Sequence, residues 1–140
     1  ANGTDVTADI RSAHVTNAVS TVAANSLVRS VMRDRQRTWS EVNKGGVVEG
    51  RDIGTVVFPD AILKVYLTAT PRVRAERRVA EAGGDIDEIE KSIAERDLKD
   101  STRTDSPLRE SEDSVVVDTS HRTIEEIVSN IVALVAERLT

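Results

Sequence analysis

Cysteine is absent from the 140 residues, which excludes disulfides, zinc–thiolate centres and thiol catalysis. Only three residues are aromatic: Trp39, Phe58 and Tyr66. So few rings argue against a stacking platform for single-stranded nucleic acid, and the core has to be built from Val, Ile, Leu and Ala. Positive charge is not in excess. The net charge is −5 and the pI about 5.1, which argues against a broad electrostatic footprint for DNA or RNA. A local arginine cluster for one small anion remains compatible with that balance. No apolar run approaches the ~20 residues needed to span a bilayer, and no signal-peptide pattern opens the chain. The cytoplasm is the expected compartment, with no membrane partner. The two histidines, His14 and His121, lie far apart, so no metal ligands are assigned.

What is present suits one soluble domain, 1–140, of ordinary size. Hydrophobic residues make up 39 % and charged residues 31 %, enough for a modest core. The stretch Gly45 to Asp60, GGVVEGRDIGTVVFPD, organises the rest. Val47 and Val48 read as a short buried strand. Glu49, Gly50, Arg51 and Asp52 then bunch opposite charges around a glycine. A second β-rich run, Thr55 to Phe58, stops at Pro59. In open α/β sheets, ligands bind beyond the carboxyl ends of the strands. Arg51 can hold a phosphate with its planar fork of donors. Asp52 can accept a hydrogen bond from an exocyclic amine, as carboxylates do from cytosine. The competing explanation is a surface turn whose charges are merely solvated.

The chain begins with Ala1, and Asn2-Gly3 is a hairpin-turn signal with no strand before it. A fragment or processed product of something longer is expected. Ser12 can cap a helix over 13–24. Asn25-Ser26 breaks and recaps the chain, and a second helix runs from about Leu27 to Trp39, bearing Arg29, Arg33, Arg35 and Arg37. Ile62 to Leu67, ILKVYL, reads as a buried strand. Thr70-Pro71 starts an Arg-rich helix that Gly83-Gly84 stops near Ala82. Asp85 or Asp87 opens the next helix. Arg96, Asp100 and Arg103 are spaced four and three apart and so share one helical face; the plain explanation for them is an intrahelical ion pair. Ser101 to Asp113 reads as a loop, and Val115 to Asp118, VVVD, as a buried strand. Thr123 with Glu126 forms a capping box before a closing helix with Ile124, Ile127, Val128, Ile131, Val132, Val135 and Leu139 on one stripe. Strands alternating with helices imply a parallel sheet covered by helices.

These residues resemble the bacterial cytidylate (CMP) kinases. The string GRDIGTVVFPD, Gly50 to Asp60, is the most specific match. NAVSTVAA (Asn17 to Ala24), VRSVMRDRQR (Val28 to Arg37), ERDLKDSTR (Glu95 to Arg103) and SVVVDTS (Ser114 to Ser120) follow in the family's order. The resemblance implies an α/β fold, the three-layer P-loop nucleoside monophosphate kinase fold, with a parallel sheet flanked by helices and incomplete at the N-terminus. It implies transfer of the ATP γ-phosphate to CMP or dCMP, giving CDP or dCDP, with Mg²⁺ accompanying ATP and the complete enzyme a monomer. Residues 1–44 would close the CMP-binding insert, 45–70 and 114–140 would form the core sheet and helices, and 71–113 the lid region and return helix. Carried over by position, Ser20, Arg29 and Asp52 resemble the residues that read the cytosine ring. Arg51 and Arg103 resemble the arginines on the CMP phosphate, where they would serve catalysis, and Arg96 and Asp100 those near the sugar. Arg74, Arg77 and Arg78 resemble lid residues that close over ATP.

The family's phosphate-binding loop, G-x-x-x-x-G-K-[ST], cradles the ATP phosphates and helps hold Mg²⁺. It is not found in the 140 residues. The sequence therefore resembles the family minus its N-terminal third, and on its own is expected to be inactive. Two other functions compete: a CMP-binding module that transfers no phosphate, and an α/β interaction domain with no nucleotide role.

Overall fold

A computed structural model describes residues 3–140, without the side chains of Arg11, Ala13, Thr16, Asn17 and Ser20. The Asn2-Gly3 hairpin signal falls partly on Asn2, outside the described residues. The chain divides into two compact units, Ala1–Val47 and Val48–Thr140.

In the first unit a 3-10 turn, Asp9–Arg11, precedes helix α1, Ala13–Ala23. Ser12 Oγ accepts the Val15 N–H at 3.3 Å, as its capping position predicts. Asn25 then caps α2, Ser26–Val42, accepting from the Leu27 and Val28 amides at 3.0 and 3.3 Å. The helix outruns its expected end at Trp39 because no breaker occurs before Gly45. There the backbone turns left-handed at Lys44, Gly45 and Gly46 (φ 57°, 110° and 151°). Gly46 lies against the Trp39 ring so closely that a Cβ there would sit 2.6 Å from the ring edge. Only glycine fits that approach.

The second unit carries a π-helical turn, Ile53–Val57, strand β1, Val65–Thr68, helices α3, Pro71–Ala82, and α4, Ile86–Thr102, strand β2, Val115–Asp118, and helix α5, Ile124–Leu139. β1 and β2 pair in parallel, from Val65↔Val115 to Thr68↔Asp118. Helices flanking a small parallel sheet are the α/β arrangement expected of the nucleoside monophosphate kinase fold.

Local signals place the helix ends. Thr70 Oγ1 caps α3 through the Val73 amide at 3.3 Å, with Pro71 as its first residue. Gly83, at φ 73°, closes it by donating to the Val79 carbonyl at 2.8 Å. Asp85 rather than Asp87 caps α4, accepting from the Asp87 and Glu88 amides at 3.0 and 2.9 Å. Thr123 and Glu126 form the expected reciprocal capping box on α5.

Three expectations for strands are corrected. Val47 and Val48 lie outside any strand, and Val47 is 97 % exposed. Two residues without a hydrogen-bonded neighbour cannot hold a ladder. Thr55 to Phe58 is not extended: the Asp52 carbonyl accepts from Val56 and Val57 at 2.9 and 3.2 Å, and the Ile53 carbonyl from Phe58 at 2.7 Å. The two i→i+5 bonds among them, from Val57 and from Phe58, make a single π turn and override the β preference of Val and Thr. The ILKVYL run becomes strand only at Val65, next to the Val115 amide that bonds the Lys64 carbonyl at 2.8 Å. Nor are the two strands buried throughout. Val117 is 3 % exposed, but Leu67 is 56 % and Val116 50 % exposed.

Among the described residues the buried apolar side chains are Val57, Ala75, Ile93 and Val117, one each from the π turn, α3, α4 and β2. The stripe on α5 is half-buried at Ile127, Ile131 and Val135 and exposed at Ile124, Val128, Val132 and Leu139.

A long-range ion pair ties the loop before β2 to the residue preceding β1. Lys64 Nζ donates to both Asp113 carboxylate oxygens, at 2.9 and 2.7 Å. The lysine side chain is 8 % exposed and the aspartate 65 %. The Lys64 hydrogen bond, more than its charge, holds the Asp113 carboxyl below its ordinary pKa. A lowered folded-state pKa stabilises the fold above the ordinary carboxylate range, and that contribution fades as pH falls below about 4. Lys64→Met should move the Asp113 pKa up to the ordinary range and remove this share of the acid sensitivity. Carboxyl chemical shifts followed against pH will read it; an unmoved Asp113 would show that Lys64 does not set its acidity.

Candidate functional site

Helix α4 presents Arg96, Asp97 and Asp100 over little more than one turn, with Arg103 as its cap residue. Spacings of three and four place Arg96, Asp100 and Arg103 on one face. Asp100 is the centre, 8 % exposed. Its Oδ2 lies 3.1 Å from Arg51 Nε and 3.9 Å from Arg96 Nε, and its Oδ1 lies 3.6 Å from Arg103 NH1. A carboxylate this buried needs such partners, because desolvation penalises an unpaired charge heavily.

The loop after α4 fixes Arg103. The backbone leaves the helix at that residue (φ −66°, ψ 146°). Its Nε donates to the Ser106 carbonyl at 2.6 Å. Ser106 is buried, takes a left-handed φ of 54° and donates its hydroxyl to Asp105 at 2.7 Å. Leu108 N–H bonds the Asp100 carbonyl at 2.8 Å, folding the loop back onto the helix end.

Arg51 reaches the cluster from the turn before the π turn, and that turn buries the neighbouring Asp52 to 8 % exposure. Arg51 also approaches Asp97, with NH2 3.7 Å from Oδ1. Asp97 in turn is gripped by Arg74 of α3, through NH1 to Oδ2 and through NH2 to Oδ1 at 3.2 Å. Arg51, Arg74, Arg96 and Arg103 with Asp97 and Asp100 make four positive and two negative charges. The excess is +2, which matches a phosphate monoester near −2 at neutral pH. Planar guanidinium forks suit bidentate contact with such an anion.

Arg51, Arg96, Asp100 and Arg103 are thus brought together, with Asp52 adjacent in the chain. Arg77, expected near ATP, donates to the Thr119 hydroxyl at 3.1 Å and to its carbonyl at 2.5 Å, at the carboxyl end of β2. Arg78 is exposed. In the first unit Arg29 is half-buried and donates to the Ala23 carbonyl at 3.3 Å. The Ser20 side chain lies outside the described residues. Sequence reasoning missed Asp97, although the argument that grouped Arg96, Asp100 and Arg103 reaches it: Asp97 precedes Asp100 by three. It also passed over Arg72, which bonds Asp87 and Glu90 of α4 and whose pKa is raised, chiefly by the Asp87 hydrogen bond.

Among the described residues no three His, Asp or Glu side chains gather to hold a metal, and no helix is long and apolar enough to cross a membrane. These features define a parallel α/β unit with an arginine–carboxylate cluster suited in charge to a small anion.

Known proteins narrow that class. A sequence model of the cytidylate kinase family matches residues 1–137. The chain is 45 % identical to a cytidylate kinase of Streptomyces avermitilis over 139 residues, which are 98 % of this chain and 60 % of that protein. It is 48 % identical to a cytidylate kinase of Geobacillus sp. over 143 residues, 99 % of this chain and 63 % of that protein. It is also 47 % identical to a bifunctional pantoate ligase/cytidylate kinase of Prochlorococcus marinus over 139 residues, 95 % of this chain and 27 % of that protein. The chain belongs to the cytidylate kinase family, and it spans about 60 % of the length of the first two relatives.

Replacing the central carboxylate tests the cluster directly. Asp100→Asn removes the countercharge shared by three guanidiniums. Stability should fall by about 1–3 kcal/mol at low salt, and the loss should shrink as salt screens the arginines. Denaturant midpoints at two ionic strengths will check this; a salt-independent loss would mean that packing, not charge, is what Asp100 supplies.

Proposed function

We propose that the protein transfers the γ-phosphate of ATP to CMP or dCMP, giving CDP or dCDP, and that this chain supplies the acceptor side of the reaction. The observation that carries this reading is the doubly positive cluster around Asp100, in which Arg51 and Arg103 lie 3.1 and 3.6 Å from one buried carboxylate. The names of the relatives support it. Arg51 and Arg103 hold the acceptor phosphate. Arg96 and Asp100 serve the sugar and its neighbourhood. Asp52 accepts the cytosine amine, and Ser20 and Arg29 keep the base-reading role that the resemblance implies.

In this reading an acceptor phosphate oxygen attacks the γ-phosphorus of ATP as the bond to the β–γ bridging oxygen breaks, and ADP leaves. Little covalent work falls to the protein, so positioning and charge carry the rate. Arg51 and Arg103 offset the repulsion between the two phosphates and hold the attacking oxygen in line. Mg²⁺ is proposed to accompany ATP, whose phosphates are its natural ligands. Of the proposed lid arginines, Arg77 and Arg78 are exposed and Arg74 is half-buried, with Arg74 engaged by Asp97 and Arg77 by Thr119.

Two substitutions in the complete gene product test the assignments. Arg51→Lys keeps the charge and loses the fork; kcat/KM for CMP should fall about 10²-fold with the circular dichroism spectrum unchanged. A near-normal rate would remove Arg51 from the phosphate. Asp52→Ala leaves the cytosine amine unpaired, at about 1–3 kcal/mol, so CMP use should weaken far more than ATP use. Equal losses for the two nucleotides would take Asp52 out of the base pocket. CMP binding without any ADP release in the wild-type protein would favour a binding module instead.

A further inference from the structure

Asp97 has no part in the roles assigned so far, yet it joins two of the arginines. It sits one turn before Asp100 on α4. Its Oδ1 faces Arg51 NH2 at 3.7 Å and accepts from Arg74 NH2 at 3.2 Å, while its Oδ2 accepts from Arg74 NH1. Asp100 meanwhile faces Arg51 Nε at 3.1 Å. Two carboxylates from successive turns of one helix therefore flank Nε and NH2 of the Arg51 guanidinium. These two nitrogens form one edge of the planar fork, and the two ion pairs, at 3.1 and 3.7 Å, draw that edge toward α4.

We propose that Asp97 is a positioning residue for the acceptor phosphate. It holds the Nε/NH2 edge of Arg51 so that the NH1 side of the fork is presented to the anion, and it links that arginine to Arg74 of α3. This rests on the acceptor-site reading above. It also changes the role of Arg74: that residue acts on acceptor binding, through Asp97, instead of on ATP. The side chains of Asp97, Arg74 and Arg51 are 28 %, 30 % and 33 % exposed. A partly open carboxylate of this kind is replaceable without leaving a sealed-in charge, so its removal should be read in binding before it is read in folding.

The experiment compares Asp97→Asn, Asp97→Glu, Arg74→Met and the Asp97→Asn/Arg74→Met double variant in the complete gene product. Asp97→Asn should raise KM for CMP about tenfold, the loss of one charge-assisted contact, with KM for ATP unchanged and kcat within about twofold. Asp97→Glu should recover part of the loss. Arg74→Met should shift KM for CMP in the same direction, and the double variant should be no worse than the poorer single one, because both act through one chain of contacts. An unchanged KM for CMP in Asp97→Asn, an equal rise in KM for ATP, or additive losses in the double variant would each overturn the proposal. Thermal protection by inorganic phosphate is measured in parallel. If the wild-type protein does not phosphorylate CMP, the function assigned above fails, and the role of Asp97 is then judged by whether Asp97→Asn weakens that protection. Undiminished protection overturns it.

Discussion

The second unit depends on keeping a nearly buried carboxylate charged. Asp100 is 8 % exposed, and an anion so placed is tolerable only when cations replace the lost water. Three guanidiniums do so, from the turn before the π turn, from the body of α4 and from its final cap. The requirement reaches outward. Arg51 can arrive only if the turn at Glu49 to Asp52 and the π turn after it take their observed course, and Arg103 only if the chain leaves the helix where it does. A local electrostatic need thus ties the turn at Glu49 to Asp52 to the end of α4, two segments distant in sequence.

Helix α3 is held by the same chemistry at three heights. Arg72 bonds Asp87 and Glu90 near the start of α4, Arg74 bonds Asp97 further along it, and Arg77 bonds Thr119 at the end of β2. Between these ties Ala75 is fully buried, its small side chain letting the helices approach closely. Among the described residues four buried apolar side chains make a small core, so directional contacts between guanidiniums and oxygens take a large share in setting how α3, α4 and the sheet are arranged.

Much of this was legible in the sequence, and the misses have physical causes. Helix ends could be read because capping is local: Ser12, Asn25, Thr70 and Thr123 each bond an amide two or three residues on. Arg96, Asp100 and Arg103 could be grouped because helical spacing alone puts them together. The strands were harder, since a ladder depends on a distant partner. Val47 and Val48 have β-favouring side chains and no strand, and Thr55 to Phe58 follows the bonding needs of the Asp52 carbonyl instead of its own preference. The partners of Arg74 and Arg77 were beyond reach for the same reason. An arginine on a helix announces its charge but not which of several carboxylates or carbonyls it will find. Sequence similarity named a role for seven arginines, whereas the contacts show that Arg74 and Arg77 already have protein partners.

The close approach of Gly46 to Trp39 has an optical consequence. Trp39 is the sole tryptophan of the chain, and it belongs to the unit Ala1–Val47. Its indole emission therefore comes from that unit, from a ring whose edge lies against the Gly46 backbone. The helices α3, α4 and α5 lie in the other unit and dominate any far-ultraviolet signal from it. Followed together during unfolding, emission and ellipticity weight the two units differently, so the native chain carries its own label for telling whether they melt as one.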